Sequence, residues 1–289
     1  MFGHTPVLLD EVIRFLEPKP GGRYIDATLG AGGNTGALLE HTAPDGKVLG
    51  IDQDESALAR AREALESFGP GALFVHANFR EVESVAAGHG FTQCDGVVAD
   101  LGMSSMMLDD PSRGFSFMRE GPLDMRMDRT QALTAADVVN TYSEKEIADI
   151  IYVHGEERRS RPIARSIVHS RPLQLTTDLV RAIQRVSGGP RHGQIHPATR
   201  TFQALRIYVN DELKSLETFL DGSMKVVRRG GRVVVITFHS LEDRIVKNKF
   251  RTPVVPGRVL TKKVVIGTDE EVRRNPRARS AKLRAWERS

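Results

Sequence analysis

Three acids end short apolar runs: Asp26 closes Tyr24-Ile25, Asp52 closes Val48-Leu49-Gly50-Ile51, and Asp100 closes Val97-Val98-Ala99. Between the first two lies Thr28-Leu29-Gly30-Ala31-Gly32-Gly33-Asn34. Glycines let a backbone approach a ligand closely, and an acid after the second strand can accept both hydroxyls of a ribose. The chemistry this predicts is the binding of a nucleoside-containing cofactor. Phe79 follows a third apolar run and can pack on an adenine face. The loop Asp100-Leu101-Gly102-Met103-Ser104-Ser105 offers short polar groups and carbonyls. Such groups can accept the hydrogens of an exocyclic amine and hold its nitrogen in line with a methyl donor. Ser104 is a candidate there. His239, just after Val233-Val234-Val235-Ile236-Thr237, is a second candidate, able to orient a substrate or take a proton.

Three cofactor classes compete for the glycine turn. NAD suits Gly30-x-Gly32-x-x-x-Gly36 and the later acid only loosely. A nucleoside triphosphate wants a lysine after the glycines, where this chain has Asn34-Thr35. S-adenosylmethionine suits Asp26-x-x-x-Gly30-x-Gly32, because a strand-end acid can meet its amino group and would repel a pyrophosphate. Cys94, the single cysteine, comes just before the strand of Asp100, at the edge opposite the cofactor. That disfavours the cysteine-dependent methylation of a pyrimidine carbon and favours transfer to nitrogen or oxygen.

The elements that must position these groups alternate. The patterning predicts strands over 23–27, 47–51, 72–76 and 96–99, with helices over 8–16, 34–40 and 56–68 between them. Short apolar strands alternating with helices predict a parallel α/β sheet buried on both faces. The alternation stops at 102. An irregular stretch to about 124 is followed by helices from 135 to 186, separated by Gly155, Pro162 and Pro172, and by one long helix over 201–219. A strand over 232–237 and late candidates over 259–265 and 281–286 complete the pattern. The division expected is 1–104 and 208–289 forming the sheet domain, with 105–207 a helical insertion for substrate recognition.

One cysteine excludes a disulfide framework and a thiolate zinc site, and the nine histidines show no metal spacing; His192 and His196 are separated by Gly193 and followed by Pro197. No apolar run is long enough to span a membrane, and a cytoplasmic location is expected. Net charge is only +4, but residues 1–110 carry 7 Lys/Arg against 17 Asp/Glu, and residues 246–289 carry 13 against 4. Such asymmetry suits a polyanionic partner met by the later parts of the chain. Arg113-Gly114-Phe115-Ser116-Phe117, Asp124-Met125-Arg126-Met127-Asp128-Arg129 and the strip Arg273–Arg279 are the segments suited to RNA phosphates and bases.

Taken in order, these segments resemble one bacterial family, the type H 16S ribosomal RNA (cytosine-N4)-methyltransferases. The resemblance rests on His4-Thr5-Pro6-Val7-Leu8-Leu9, Asp26–Gly33, Asp100–Ser105, Arg113–Phe117 and Gly121–Met127. It extends through His196-Pro197-Ala198-Thr199-Arg200-Thr201-Phe202-Gln203-Ala204, Phe238-His239-Ser240-Leu241-Glu242-Asp243-Arg244 and Asn275–Ser280. It implies a class I, Rossmann-like methyltransferase sheet with an inserted helical domain. It also implies methyl transfer from S-adenosylmethionine to N4 of a cytidine in the decoding centre (P site) of 16S rRNA in the small ribosomal subunit. The implied cofactor positions are Gly32, Gly33, Asn34, Asp52, Phe79, Asp100 and Met107. Asn34 stands where relatives often have His, and Met107 where they often have Gln. The resemblance names no catalytic base, so Ser104 and His239 stand on position alone, and a homodimer is one expected assembly. An NAD-dependent oxidoreductase and an RNA-binding assembly factor without activity are the alternatives.

Overall fold

The computed structural model describes residues 6–189, 193 and 195–289. His4 and Thr5 of the N-terminal motif and His192 lie outside the described residues. The chain forms two compact units, 1–102 with 213–289 and 103–212. In chain order the first unit begins with α1 (Leu9–Leu16), β1 (Arg23–Asp26), α2 (Gly33–Thr42), β2 (Lys47–Asp52), α3 (Glu55–Ala64), β3 (Ala72–His76), α4 (Val82–Gly88) and β4 (Cys94–Asp100). The second contains α5 (Ser105–Asp109), α6 (Ala135–Thr141), α7 (Glu144–Gly155), α8 (Ser160–His169), α9 (Thr176–Ser187) and α10 (Thr199–Val209). The chain returns through α11 (Glu212–Val226), β5 (Val227–Thr237), α12 (Ser240–Arg251), β6 (Gly257–Val259), β7 (Val265–Ile266), α13 (Asp269–Arg274) and β8 (Lys282–Arg288).

The first unit is an eight-stranded sheet ordered β3-β2-β1-β4-β5-β8-β6, with β7 also paired to β8. Strands β1 to β5 are parallel, and β8 runs antiparallel to both β5 and β6. Alternate strand residues feed two cores, as the two-residue period requires. Ile25, Val97, Val233 and Val235 join Phe219, Leu220 and Met224 of α11 and Val246 and Phe250 of α12 on one face. Tyr24, Val98, Val234 and Ile236 join Val12 and Leu16 of α1, Leu38 of α2 and Leu58 of α3 on the other. Strand order reverses between β1 and β4, and in open α/β sheets ligands bind at the carboxyl ends of the strands flanking such a reversal.

The second unit packs its helices around a separate core that includes Leu123, Met125, Val138, Ile147, Ile163, Leu179 and Leu205. Three expectations are corrected. The long helix over 201–219 is two helices, α10 and α11, because the chain turns at Asp211 (φ 49°). Pro162 separates nothing; it lies in the first turn of α8, where a missing N–H is tolerated. The strand over 259–265 is two short strands, β6 and β7. Asn210 explains why the break holds. Its Oδ1 accepts the Met127 N–H at 2.7 Å, and its Nδ2 donates to the Met125 and Arg206 carbonyls at 2.7 and 2.8 Å. Asn210 is buried, so Asn210→Ala leaves buried backbone groups unpaired. Chemical denaturation is expected to show a loss of about 2–3 kcal/mol; a change under 0.5 kcal/mol would contradict this role.

Candidate active site

The acids that end β1, β2 and β4 come together at the carboxyl edge of the first unit. Asp26 is fully buried and accepts from the Thr35 hydroxyl at 2.8 Å and the Thr28 N–H at 3.3 Å. The Thr28 hydroxyl in turn accepts the Asp100 N–H at 2.6 Å, which ties the ends of β1 and β4 together across the reversal. Asp52 accepts the Gly30 N–H on Oδ2 at 2.8 Å and the Asp54 N–H on Oδ1 at 2.9 Å, so the acid after β2 shapes the glycine turn after β1. Gly30 (φ 53°) and Gly32 (φ 85°) hold left-handed conformations that a side chain strains. A Cβ on Gly33 would lie 2.4 Å from Pro6 Cγ, so this glycine lets the N-terminal segment pack on the turn.

Burial pushes all three carboxyls up. Asp26 rises to about 6, opposed by its bonds to Thr35 and Thr28 and reinforced by Asp52. Asp52 rises to about 6, opposed by the Asp54 and Gly30 amides. Asp100 rises to about 8, because Asp26 and Glu242 add repulsion to its burial and only Arg277 opposes them. Asp52 and Asp100 keep some exposed surface, but the Asp100 Oδ1 is itself buried.

The sign of the linkage follows. A carboxyl held above its unfolded value near 3.8 stabilises the fold fully below that value and loses this contribution as pH rises through the folded value. The ligand-free protein is therefore expected to melt at progressively lower temperature from pH 5.5 to 8.5. Asp100→Asn should flatten the upper part of the curve. Calorimetry at several pH values checks this, and a profile that rises across the window is the contrary result.

Among the described residues, two buried acceptors at this edge lack a donor, Asn34 Oδ1 in the first turn of α2 and Asp100 Oδ1. A buried acceptor without a partner is costly and rare, and a ligand that brings donors would satisfy both. The ligand that fits brings hydrogen-bond donors and positive charge to a site already dense in carboxylate. S-adenosylmethionine carries an ammonium, a sulfonium, an amino group and ribose hydroxyls. A dinucleotide would bring its two negative pyrophosphate charges against Asp26 and Asp100. Phe79 sits in a 3₁₀ turn after β3 and packs on Phe219 with ring centroids 5.2 Å apart.

The structure places the other expected residues differently. His239 is the N-cap of α12: its Nδ1 accepts the Glu242 N–H at 3.4 Å, and its Nε2 lies 3.2 Å from Glu242 Oε1. Glu242 is buried and accepts the N–H groups of Phe238 and His239 at 2.8 and 3.3 Å. Sequence reasoning missed Glu242, although His-x-x-Glu at a strand-to-helix junction is a capping signal. Ser104 and Met107 belong to the second unit. The Ser104 hydroxyl caps α5 by accepting the Met107 N–H at 3.2 Å, and the Met107 side chain is buried in that unit's apolar core.

Cys94 is the first residue of β4, at the opposite end of the strand from Asp100, and burial pushes its thiol up to about 12. It cannot serve as a nucleophile at neutral pH. Arg113, Phe115 and Arg126 fold their own loop. Arg113 is buried and donates to the Arg126 and Met127 carbonyls at 3.0 and 2.8 Å, while Phe115 is buried. Arg126 grips Asp124 through two bonds of 2.7 and 2.8 Å. The arginine strip near the end of the chain is folded too, as α13 and a 3₁₀ turn over Pro276–Arg279 in which Ala278 is buried. Among the described residues no group of three metal-binding side chains occurs, and no helix is long and apolar enough to cross a membrane.

The parallel order with its antiparallel strand between β5 and β6, the glycine turn after β1 and the acid ending β2 define a Rossmann-like, class I methyltransferase. Comparison with known proteins agrees. The chain is 53% identical over 289 residues to the ribosomal RNA small subunit methyltransferase H of Nostoc sp. strain PCC 7120, covering 99% of this chain and 93% of that one. It is 53% identical to the protein of that name from Sorangium cellulosum, covering 98% and 90%, and 48% identical to one from Dehalococcoides mccartyi strain BAV1, covering 99% and 87%. The profile of the MraW methylase family matches residues 1–289, and the chain belongs to that family.

Proposed function

We propose that this protein transfers a methyl group from S-adenosylmethionine to N4 of a cytidine in the decoding centre of 16S rRNA, acting on the small ribosomal subunit in the cytoplasm. The observation that carries the cofactor assignment is the pair of buried acceptors without a donor among the described residues, Asn34 Oδ1 and Asp100 Oδ1, in a cluster of buried acids. The rRNA acceptor is supported by membership of the methylase family and by relatives near half identity named for the small-subunit rRNA.

Each residue then has a task. Asp52 retains lone pairs for ribose hydroxyls after accepting the Gly30 and Asp54 amides. Gly32 and Gly33 keep the turn free of side chains, Phe79 offers a ring face for the adenine, and Asp26 and Asp100 balance positive charge. The cofactor supplies an electrophilic methyl on a sulfonium. Met107 is retained as a cofactor contact through its apolar side chain, and Ser104 and His239 as candidates to orient the acceptor amine. The unreactive thiol of Cys94 accords with direct transfer to nitrogen.

The test is incubation with methyl-labelled S-adenosylmethionine and small subunits that lack the modification, followed by nuclease digestion and mass spectrometry. Label on one cytidine, at the exocyclic nitrogen, is the expected result. Absence of label, or label at carbon 5, contradicts it. Light scattering tests the homodimer.

A further inference from the structure

Because β8 runs antiparallel to β5 and begins with Lys282 opposite Thr237, the last residue of β5, the segment just before β8 emerges at the carboxyl edge of the parallel strands. That segment is the 3₁₀ turn Pro276–Arg279. The turn is built firmly. Asn275 accepts the Arg277 N–H at 3.3 Å, and Ala278 is buried in the same apolar cluster as Ile236 and Leu283. The preceding Glu271 accepts the Leu8 N–H at 2.6 Å. Three nearby arginines are engaged: Arg274 with Glu270, Arg284 with both oxygens of Asp243, and Arg288 with backbone carbonyls. Among the described residues the Arg277 side chain makes no hydrogen bond or ion pair, although it is partly buried. The charged groups acting on Asp100 are Asp26 from β1, Glu242 from α12 and Arg277 from this turn, two acids against one cation.

We propose that Arg277 is a positioning residue of the cofactor site, the guanidinium that balances the buried acids and keeps the Asp100 carboxylate available to a cationic ligand. This rests on the S-adenosylmethionine reading above. Without the guanidinium, Asp26 and Glu242 act on Asp100 unopposed, its proton affinity rises, and at neutral pH a larger share of the protein holds Asp100 neutral. Arg277 also repels the cofactor's positive groups directly, so once Asp100 is fully ionised its removal no longer weakens binding.

The two effects give a signature that a purely structural arginine does not. Calorimetric titration of the full chain with S-adenosylmethionine from pH 6.5 to 9.5 is expected to show Arg277→Gln binding about tenfold more weakly than wild type near pH 7, the change in ionised fraction that one pKa unit produces. The curves should converge or cross by pH 9.5. Arg277→Lys should restore most of the affinity, and in an Asp100→Asn background the substitution should leave the pH profile unchanged. Weakening by one factor at every pH, or no weakening, overturns the proposal. Should Arg277→Gln fail to fold, Arg277→Met keeps the apolar stem and carries the same measurement. If wild type itself does not bind S-adenosylmethionine at any pH, the cofactor reading fails, an outcome distinct from an unchanged profile in a binding-competent variant.

Discussion

Asp52→Ala is expected to weaken S-adenosylmethionine binding about a hundredfold. Asp52 takes backbone amides from Gly30 at 2.8 Å and from Asp54 at 2.9 Å, and the Gln53 amide adds to them. A carboxylate offers about four lone-pair positions, and what the amides leave open can accept from the ribose hydroxyls. Hydrogen bonds to a charged acceptor are worth about 1.5–3 kcal/mol each. Losing two, less what water recovers, comes to about 3 kcal/mol, or two decades in affinity. The substitution also strips the Gly30 amide of its acceptor and loosens the glycine turn. Asp52→Asn keeps an acceptor oxygen and should fall between wild type and the alanine variant. Titration calorimetry decides; an Asp52→Ala affinity within threefold of wild type removes Asp52 from the cofactor site.

The largest loss of stability is expected from Trp286→Ala. Trp286, the single tryptophan of the chain, is fully buried in β8, and its ring stacks near Phe250 with centroids 6.4 Å apart. A Cβ on Gly257 would lie only 1.9 Å from Trp286 Cζ2, so the edge strand β6 packs directly on the indole. Removing the ring opens a cavity between β6, β8 and α12, at a cost of about 3–5 kcal/mol. Trp286→Phe should cost much less, about 1.5 kcal/mol or under, because the indole N–H has no partner to lose. Fluorescence is lost with the residue, so circular dichroism in denaturant is the appropriate measurement. Equal losses for the two variants would show that the cavity is not the cause.

The sequence makes the edge of the candidate site legible where the signal is local. Asp26, Asp52 and Asp100 each end an apolar run, and the structure gathers them at one edge because parallel strands place all their carboxyl ends together. The glycine turn was readable for the same reason. Long-range partners were not. Glu242 is held at this edge by a helix cap, and the turn of Arg277 is brought there by a strand that enters the sheet in reverse, so neither spacing nor periodicity marks them. The apolar periodicity that runs through 201–219 concealed the break at Asn210, which side-chain bonds to a loop more than eighty residues earlier impose. Arginines beside phenylalanines suggested RNA contacts, yet in Arg113 and Phe115 the same residue types close an internal loop.

The place of β8 bears on how the chain is made. β5 and β6 leave the ribosome earlier, yet each pairs with β8, and among the described residues β6 pairs with no other strand. Until residues 282–288 emerge, β5 is an open edge and β6 an unpaired segment. Closure of the sheet therefore waits on β8. A nascent chain halted before Lys282 is expected to expose a strand edge to aggregation.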